Sequence, residues 1–253
     1  MRVDWSPLRN ALKGFRRDGL DLPLWWRDDD ATQPTKALDL LHETAVRLQV
    51  PVHVAVISGL AQPTLASMNA SNGMLIPVVH GWKHINHAPP EEKRSEFGTP
   101  RLAAAQEIQA SFEAMQSIFG AHCLPLFVPP WNRLDPSHVA ALRRSGYRGI
   151  SVFPSRRVLG PTPGIIQVKT HIDPVDWHGT YGLHSTDTII QKAVFRLQAR
   201  RRGIDDPAEP LGLLTHHLVH TKEIWQFSEN LMKELLDGGA RVQPLRPLLE
   251  TDL

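Results

Sequence analysis

The sequence predicts an α/β fold in which helices surround a parallel sheet or barrel. Strand-like segments alternate about seven times with segments of helical periodicity along the 253 residues. This alternation is typical of parallel sheets whose strands are connected by helices, and the length is common among α/β barrels. Because no linker, repeat or low-complexity tract divides the sequence, we expect residues 1–253 to form one domain.

The predicted strands are short apolar runs bounded by proline, glycine or polar residues. In chain order they are residues 22–26, 51–57, 74–79, 124–128, 149–153, 165–170 and 211–214.

The predicted helices have apolar residues at helical spacing, as in Leu38, Leu41, Ala45 and Leu48. In chain order they are residues 4–21, 35–48, 100–119, 137–144, 186–201 and 223–236.

Composition limits the partners and the cellular location. A hydrophobic content of 42% and a charged content of 21% are ordinary for a soluble globular protein, and a net charge of +2 gives no argument for a nucleic-acid or anionic-membrane partner. The single cysteine, Cys123, excludes an internal disulfide. Without a run of signal-peptide or membrane-spanning length, we expect a cytoplasmic protein with no membrane insertion.

Histidines form a first candidate metal site. His80, His84 and His87 directly follow the predicted strand 74–79. If residues 80–87 are helical, these three side chains share one face, and His80 and His84 can direct imidazole nitrogens at one point. Neutral imidazole is a good ligand for divalent ions such as zinc. The alternative is a chance cluster, because the chain has 13 histidines.

Carboxylates form a second candidate metal site. Asp28, Asp29 and Asp30 follow Arg27 at the end of the first predicted strand. Three adjacent carboxylates repel one another unless a cation neutralises them, as a metal with Arg27 nearby would. The alternative is a solvated acidic turn that caps the following helix.

These groups share one position in the predicted fold, the carboxyl ends of the strands, where active sites of parallel α/β folds lie. Five segments have this placement: residues 28–30, 80–87, 131–133, 173–177 and 216–217. One carboxylate and two histidines can hold a catalytic divalent ion, a neighbouring carboxylate can act as general base, and a histidine can act as general acid. This set of groups is sufficient to hydrolyse an amide or an ester.

The order of these motifs resembles the polysaccharide deacetylases, the group with the NodB homology domain, known as carbohydrate esterase family 4. The resemblance covers about residues 25–217. It is based on the Asp-Asp strand end, His80-x-x-x-His84, the Pro-Pro-aromatic turn, Asp-x-x-Asp-Trp and a Leu-x-His strand end. It implies a distorted (β/α) barrel of about seven parallel strands with outer helices. It also implies removal of N- or O-acetyl groups from sugars with a divalent metal held by one Asp and two His.

Matched residue by residue, the resemblance implies that Asp29 is the general base and that Asp30, His80 and His84 hold the metal. A shift of one residue would assign the first two roles to Asp28 and Asp29 instead. We expect Zn²⁺, with Co²⁺, Ni²⁺ and Mn²⁺ as alternatives.

The remaining motifs imply further roles at the same site. The backbone N–H of Trp131 would stabilise the oxyanion, and His216 would be the general acid. Asp176 would orient the catalytic groups, and Trp177 would shape the acetyl pocket. We also expect Pro130, Asn132 and Arg133 to line the substrate side.

Some positions depart from the family pattern. Val128 occupies the place of an arginine that normally partners the Asp, and Arg27 and Arg133 are candidates to replace it. His217 occupies the place of an Asp, Gly81 replaces a Ser or Thr, and His87 is additional.

The departures, and the lack of a signal peptide, favour a small-molecule or glycan substrate such as a soluble sugar, a nucleotide-sugar or a glycan precursor. Two alternatives remain at this stage: hydrolysis of a non-sugar C–N bond on the same fold, and a non-catalytic glycan-binding barrel, for which the loss of arginine at Val128 is the best support. The oligomeric state is not predicted.

Overall fold

A computed structural model of the protein describes residues 3–153, 162 and 164–250. The strands are β1 Leu22–Ala31, β2 Val52–Val56, β3 Leu75–Val79, β4 Leu126–Phe127, β5 Gly149–Ile150, β6 Ile166–Gln167, β7 Leu211–Thr215 and β8 Ala240–Val242. The helices are α1 Ser6–Arg17, α2 Lys36–Leu48, α3 Ala104–Phe119, α4 Val139–Arg144, α5 Thr186–Arg201, α6 Lys222–Asp237 and α7 Leu245–Glu250.

Seven strands form a parallel sheet that curls into a distorted barrel, as predicted. Their order is β6-β5-β4-β3-β2-β1-β7, and every pairing is parallel. A parallel bridge between Ile172 and Leu213 brings the chain after β6 alongside β7, across the gap between the two edges of the sheet. The sequence did not predict β8, which pairs with the start of β1, or α7.

The barrel interior changes from apolar to polar along β1. Trp25 belongs to an interior cluster with residues such as Ala55, Val78 and Val168, whereas Trp26 belongs to the core between the sheet and the helices. Since alternate residues of a strand face opposite sides, Arg27 and Asp29 follow Trp25 on the interior side. Charged groups are therefore concentrated at the carboxyl end of the barrel.

The other end of the barrel is closed by apolar side chains of α7. Leu245 and Leu249 join the interior cluster, and a Cβ at Gly149 would lie 2.5 Å from Leu249 Cδ2. The barrel interior next to the site is therefore a packed apolar core, which holds the strand ends in fixed relative positions.

The outer helices begin where the sequence supplies hydroxyl caps. Thr35, Ser185 and Thr221 accept a hydrogen bond from the N–H three residues further on, at the starts of α2, α5 and α6. Such caps each stabilise a helix by about 1 kcal/mol. Within the described residues, no helix is both long and apolar enough to cross a membrane.

The buried His53 of β2 makes the free energy of unfolding depend on pH. Its ring lies 5.5 Å from that of Trp25, and burial lowers the pKa of His53 to about 4, despite a hydrogen bond between Nδ1 and the Trp26 carbonyl. The unfolded chain takes up a proton near the ordinary value of 6.5, but the folded chain does not until pH about 4. The free energy of unfolding should therefore fall as pH decreases between these values.

We predict that His53→Leu flattens this decline. The parent should lose up to about 3 kcal/mol through this group between pH 7 and pH 4, the equivalent of the pKa difference. Urea unfolding at several pH values measures the slope. His122→Leu, at an exposed histidine, is the control and should keep the parent slope. An unchanged slope in His53→Leu would contradict the prediction.

Candidate metal and catalytic site

A β-bulge in β1 directs two consecutive carboxylates to the same region. The register with β2 shifts between Asp29 and Ala31, and Asp30 has a φ of 80°. Regular alternation would place Asp29 and Asp30 on opposite faces, but a bulge redirects the side chain of the extra residue. Asp30 Oδ1 consequently lies 3.1 Å from His80 Nε2 and 3.5 Å from His84 Nε2.

His80, directly after β3, presents one defined nitrogen to Asp30. Its Nδ1–H donates to the Val128 carbonyl at 3.0 Å, so Nε2 is the nitrogen that faces Asp30 and that would bind a metal in the neutral ring. A hydrogen bond of this kind fixes the tautomer and ring orientation of metal-ligating histidines. Val128, at the position where the family pattern has arginine, therefore contributes its carbonyl to the candidate metal site.

The predicted helix at residues 80–87 is wrong, although His80 and His84 do converge. The segment is a loop in which Gly81 and His84 have φ values of 57° and 58°. The buried carboxylate of Glu96 accepts the N–H groups of Trp82 and Lys83 at 3.0 and 2.8 Å. The carboxylate stabilises this loop because it accepts hydrogen bonds from backbone N–H groups that have no helical partner here.

Glu96 was not predicted from the sequence, and the role of His87 was left open. A Cβ at Gly81 would lie 2.3 Å from Glu96 Oε2 and 2.5 Å from Pro130 Cδ, so this position requires glycine. His87 is exposed and lies outside the group formed by Asp30, His80 and His84.

The chemistry of the three residues fits a divalent metal. One ligand atom from each of Asp30, His80 and His84 lies within 4.8 Å of the others. Burial alone would raise the pKa of Asp30, but its hydrogen bond with His80 and the charges of His80, His216 and His84 hold that pKa well below the ordinary value. Burial and the charge of His80 lower the pKa of His84. An ionised carboxylate and imidazole nitrogens are the ligand types that zinc prefers.

Asp29 forms a buried ion pair with Arg27, two residues earlier on the same strand. Arg27 Nη2 donates to Asp29 Oδ2 at 2.9 Å, and Nε lies 2.9 Å from Oδ1. Both side chains are almost completely buried. Val128 occupies the place of the family arginine, and Arg27 and Arg133 were the candidates to replace it. Of these two, Arg27 contacts Asp29.

Arg27 also connects three strand ends. Its Nη1 donates to Ser151 Oγ at 2.7 Å, and its Nη2 donates to Asn132 Oδ1 at 2.7 Å. Asn132 Oδ1 additionally accepts from the N–H of Phe153. The oxygen of Asn132 therefore orients Arg27, and the expected substrate contact of Asn132 stays a prediction.

Two other predicted substrate residues also have supporting contacts. Arg133 Nη1 donates to the carbonyl of Arg94 at 2.7 Å and connects two loops. Pro130 is buried against Gly81. Both residues thus support loops beside the site, and their predicted substrate contacts stay predictions.

Trp131 lies beside the candidate metal ligands in an unusual backbone conformation. Its φ is 55°, and its ring centroid lies 4.1 Å from that of His84. Among the described residues, its N–H has no hydrogen-bond acceptor. A left-handed conformation is costly for a bulky residue, and such conformations are concentrated at functional sites.

His216, directly after β7, faces Asp29 from the other side. Its Nε2 lies 4.0 Å from Asp29 Oδ2, and its ring packs edge-on against Trp177 at 4.7 Å. Its Nδ1 is buried and has no hydrogen-bond partner among the described residues. The predicted base and acid are therefore adjacent.

Asp173, and not Asp176, is the acidic residue of the fourth motif that reaches this group. Asp173 Oδ2 accepts from Trp177 Nε1 at 2.7 Å, and burial raises the pKa of Asp173 against the opposing charge of His216. Asp176 Oδ2 accepts from the N–H of Thr180 within its own turn. The orienting role of Asp176 stays a prediction, and Asp173 is the aspartate of this motif that contacts Trp177.

Asp28 faces away from Asp29 and Asp30. It accepts hydrogen bonds from Thr215 and His217 on the outer side of the barrel. The alternative register, with Asp28 and Asp29 at the site, does not fit this geometry.

Together, the barrel and these side chains define a site with a candidate Asp-His-His metal centre at the carboxyl ends of the strands. No protein-family model matches the sequence, and no curated protein matches it. Solved structures with the same fold, however, include carbohydrate esterase family 4 proteins, so the predicted resemblance is confirmed at the level of the fold.

Three of these structures illustrate the likeness. A family 4 carbohydrate esterase from Streptomyces lividans, in complex with acetate, has a TM-score of 0.55 and 12% identity, over 92% of this chain and 98% of that one. A peptidoglycan N-acetylglucosamine deacetylase has a TM-score of 0.57 and 16% sequence identity, over 92% of this chain and 90% of that one. A family 4 pseudoenzyme from Bacillus anthracis has a TM-score of 0.55 and 12% sequence identity, over 91% of this chain and 66% of that one.

We predict that Arg27→Met destabilises the protein by about 3–5 kcal/mol, because it leaves the Asp29 carboxylate buried without its counter-ion. Asp29→Asn in the same chain should restore part of this loss. Urea unfolding measures both effects. Lys233→Met, at an exposed ion pair with Glu229, is the control and should cost less than about 1 kcal/mol. A similarly small cost for Arg27→Met would contradict the prediction.

We predict that Glu96→Ala weakens zinc binding about 10- to 100-fold, the usual effect of losing a group that supports metal ligands. Without this acceptor, the N–H groups of Trp82 and Lys83 lose their partner and His84 is no longer held in place. Competition with a chromophoric chelator measures the affinity. Glu92→Ala, at an exposed carboxylate of the same loop, should leave affinity unchanged. Equal affinities for the two variants would disprove the role of Glu96.

Proposed function

We propose that this protein is a metal-dependent hydrolase that removes an acetyl group from an N- or O-acetylated sugar. The observation that carries this proposal is the convergence of Asp30, His80 and His84 beside the adjacent pair of Asp29 and His216. A metal centre, a base and an acid at one strand edge are the groups that hydrolysis of an acetamide or acetate ester requires.

Asp30, His80 and His84 would hold the metal. When bound, a divalent metal lowers the pKa of water and polarises a carbonyl oxygen.

Asp29 accepts the proton of the attacking water in the proposed reaction. The paired guanidinium of Arg27 keeps the carboxylate oriented, with its Oδ2 on the side of His216. General-base catalysis needs a carboxylate in a fixed position near the water it deprotonates.

Trp131 provides a backbone donor for the oxyanion. Its ring lies beside that of His84, and a backbone donor of this kind typically contributes a 100- to 1,000-fold rate increase, or about 3–4 kcal/mol. Its left-handed conformation sets the direction of this N–H.

His216 donates a proton to the departing sugar nitrogen or oxygen. Asp173 and Trp177 act with it: the Trp177 ring packs on His216, and Asp173 fixes that ring through its indole N–H. In the proposed reaction, Trp177 would border the acetyl group beside His216.

The position of Arg27 weakens the case for a non-catalytic glycan-binding barrel. That alternative was based on the loss of arginine at Val128, but Arg27 forms the ion pair with Asp29 from a different strand position. Because the same fold also occurs in a pseudoenzyme, activity has to be measured directly.

We predict about one equivalent of zinc in the purified parent protein and release of acetate from at least one acetylated sugar. The panel should include acetylated monosaccharides, nucleotide-sugars and short oligosaccharides, with small amides as comparison. Elemental analysis and an enzyme-coupled acetate assay are the measurements. Co²⁺, Ni²⁺ and Mn²⁺ should be tested by reconstitution.

Asp30→Ala and His84→Ala should lose both the metal and acetate release, because each removes one of three ligands. His87→Ala is the control: this exposed histidine lies outside the ligand group, so metal and activity should remain. A parent protein that binds zinc but hydrolyses none of the substrates would contradict the catalytic proposal. Failure to bind any of the metals would contradict the metal site itself.

A further inference from the structure

The outer side of the barrel behind His216 contains a buried polar cluster that the proposed reaction does not use. It consists of Asp28 on β1, Thr215 at the end of β7, and His217. All three side chains are buried. Buried polar groups cost free energy unless they are hydrogen-bonded, so a cluster of this kind requires a compensating set of bonds.

Asp28 accepts three hydrogen bonds, and all come from the two neighbours of His216. Thr215 Oγ1–H donates to Asp28 Oδ2 at 2.6 Å. The backbone N–H of His217 donates to the same oxygen at 3.0 Å, and His217 Nδ1–H donates to Oδ1 at 2.5 Å. One carboxylate thereby fixes the chain immediately before and immediately after His216.

Two further contacts complete this connection to the barrel. Thr215 Oγ1 accepts from the indole N–H of Trp26 at 2.9 Å. The backbone N–H of His216 donates to His220 Nε2 at 3.2 Å, and burial, outweighing the charge of Asp28, lowers the pKa of His220 to about 4, which keeps this nitrogen an acceptor. The backbone around His216 is therefore held at three successive residues.

The side chain of His216 points the opposite way, toward Asp29 and Trp177. Asp28 and Asp29 are adjacent on β1 and face opposite sides, as are His216 and His217 in the segment after β7. The outer pair, Asp28 and His217, thus sets the distance between the inner pair, Asp29 and His216.

We propose that Asp28 and His217 are positioning residues that hold the general acid His216 beside the acetyl group. This inference rests on the proposed deacetylase function and assigns a task to two residues outside the metal centre. Neither residue touches the substrate. His217 donates to Asp28 through Nδ1–H in either protonation state, so the arrangement depends on geometry.

The test compares substrates that differ in their need for an acid. An acetylated amino sugar releases an amine and requires a proton, whereas 4-nitrophenyl acetate releases a phenolate that departs without one. Loss of acid positioning should therefore slow the first reaction and spare the second. Loss of general structure, or of the metal, should slow both.

We expect His217→Ala to lower kcat for the acetylated sugar about 10- to 100-fold, with zinc content retained, as displacement of a reacting group by about 1 Å can do. Hydrolysis of 4-nitrophenyl acetate should change less than about twofold, since its leaving group needs no proton. His216→Ala should show the same selective loss. His217→Asn should recover most of the activity because its amide N–H can replace Nδ1–H.

Thr215→Val provides a second variant if His217→Ala does not fold. It keeps the volume but removes the donor to Asp28, and it should give a weaker loss of the same selective kind. His138→Ala is the control for a general structural loss. This buried histidine contacts the Thr99 carbonyl, and its removal should affect both substrates equally or neither.

Equal losses on both substrates in His217→Ala, or no rescue by His217→Asn, would overturn the positioning role. A metal-loaded parent that hydrolyses 4-nitrophenyl acetate and acetylated sugars, with an unaffected His217→Ala, would overturn this inference and leave the proposed function intact. A metal-loaded parent without activity on either substrate would instead contradict the proposed function.

Discussion

The geometry of the site depends on a buried guanidinium. Arg27 is enclosed in the barrel and donates to Asp29 on β1, to Asn132 in the loop after β4, and to Ser151 directly after β5. A buried charge is tolerated only when a counter-charge and hydrogen bonds compensate its desolvation. The same contacts that stabilise Arg27 therefore fix the carboxylate of Asp29 relative to the loop that contains Trp131.

The three consecutive aspartates of β1 face three different groups of residues. Asp28 faces outward to the segment that contains His216, Asp29 faces inward to Arg27, and the bulge turns Asp30 toward His80 and His84. Their different environments separate them chemically, although they are adjacent in sequence. Strand alternation accounts for the first two orientations, and the bulge accounts for the third.

Much of the fold was predictable because apolar strands and amphipathic helices have distinct periodicities, and α5 was predicted with the bounds it has. The clustering of His80, His84 and Asp30 was predictable because parallel strands bring their carboxyl ends together. Side-chain partners were not predictable: Glu96 lies 12 residues after His84, and nothing local indicates that it accepts the N–H groups of that loop. For the same reason, spacing alone could not distinguish Asp173 from Asp176 or identify the bond between Asn132 and Arg27.

A crystal structure of the zinc-loaded protein, with anomalous data at the zinc edge, would show whether Asp30, His80 and His84 form one metal centre beside Asp29 and His216. We expect one strong anomalous peak about 2.0–2.2 Å from Asp30 Oδ1 and from Nε2 of both histidines. A zinc ion bound elsewhere, or histidines that turn away from Asp30 with no ion between them, would contradict it.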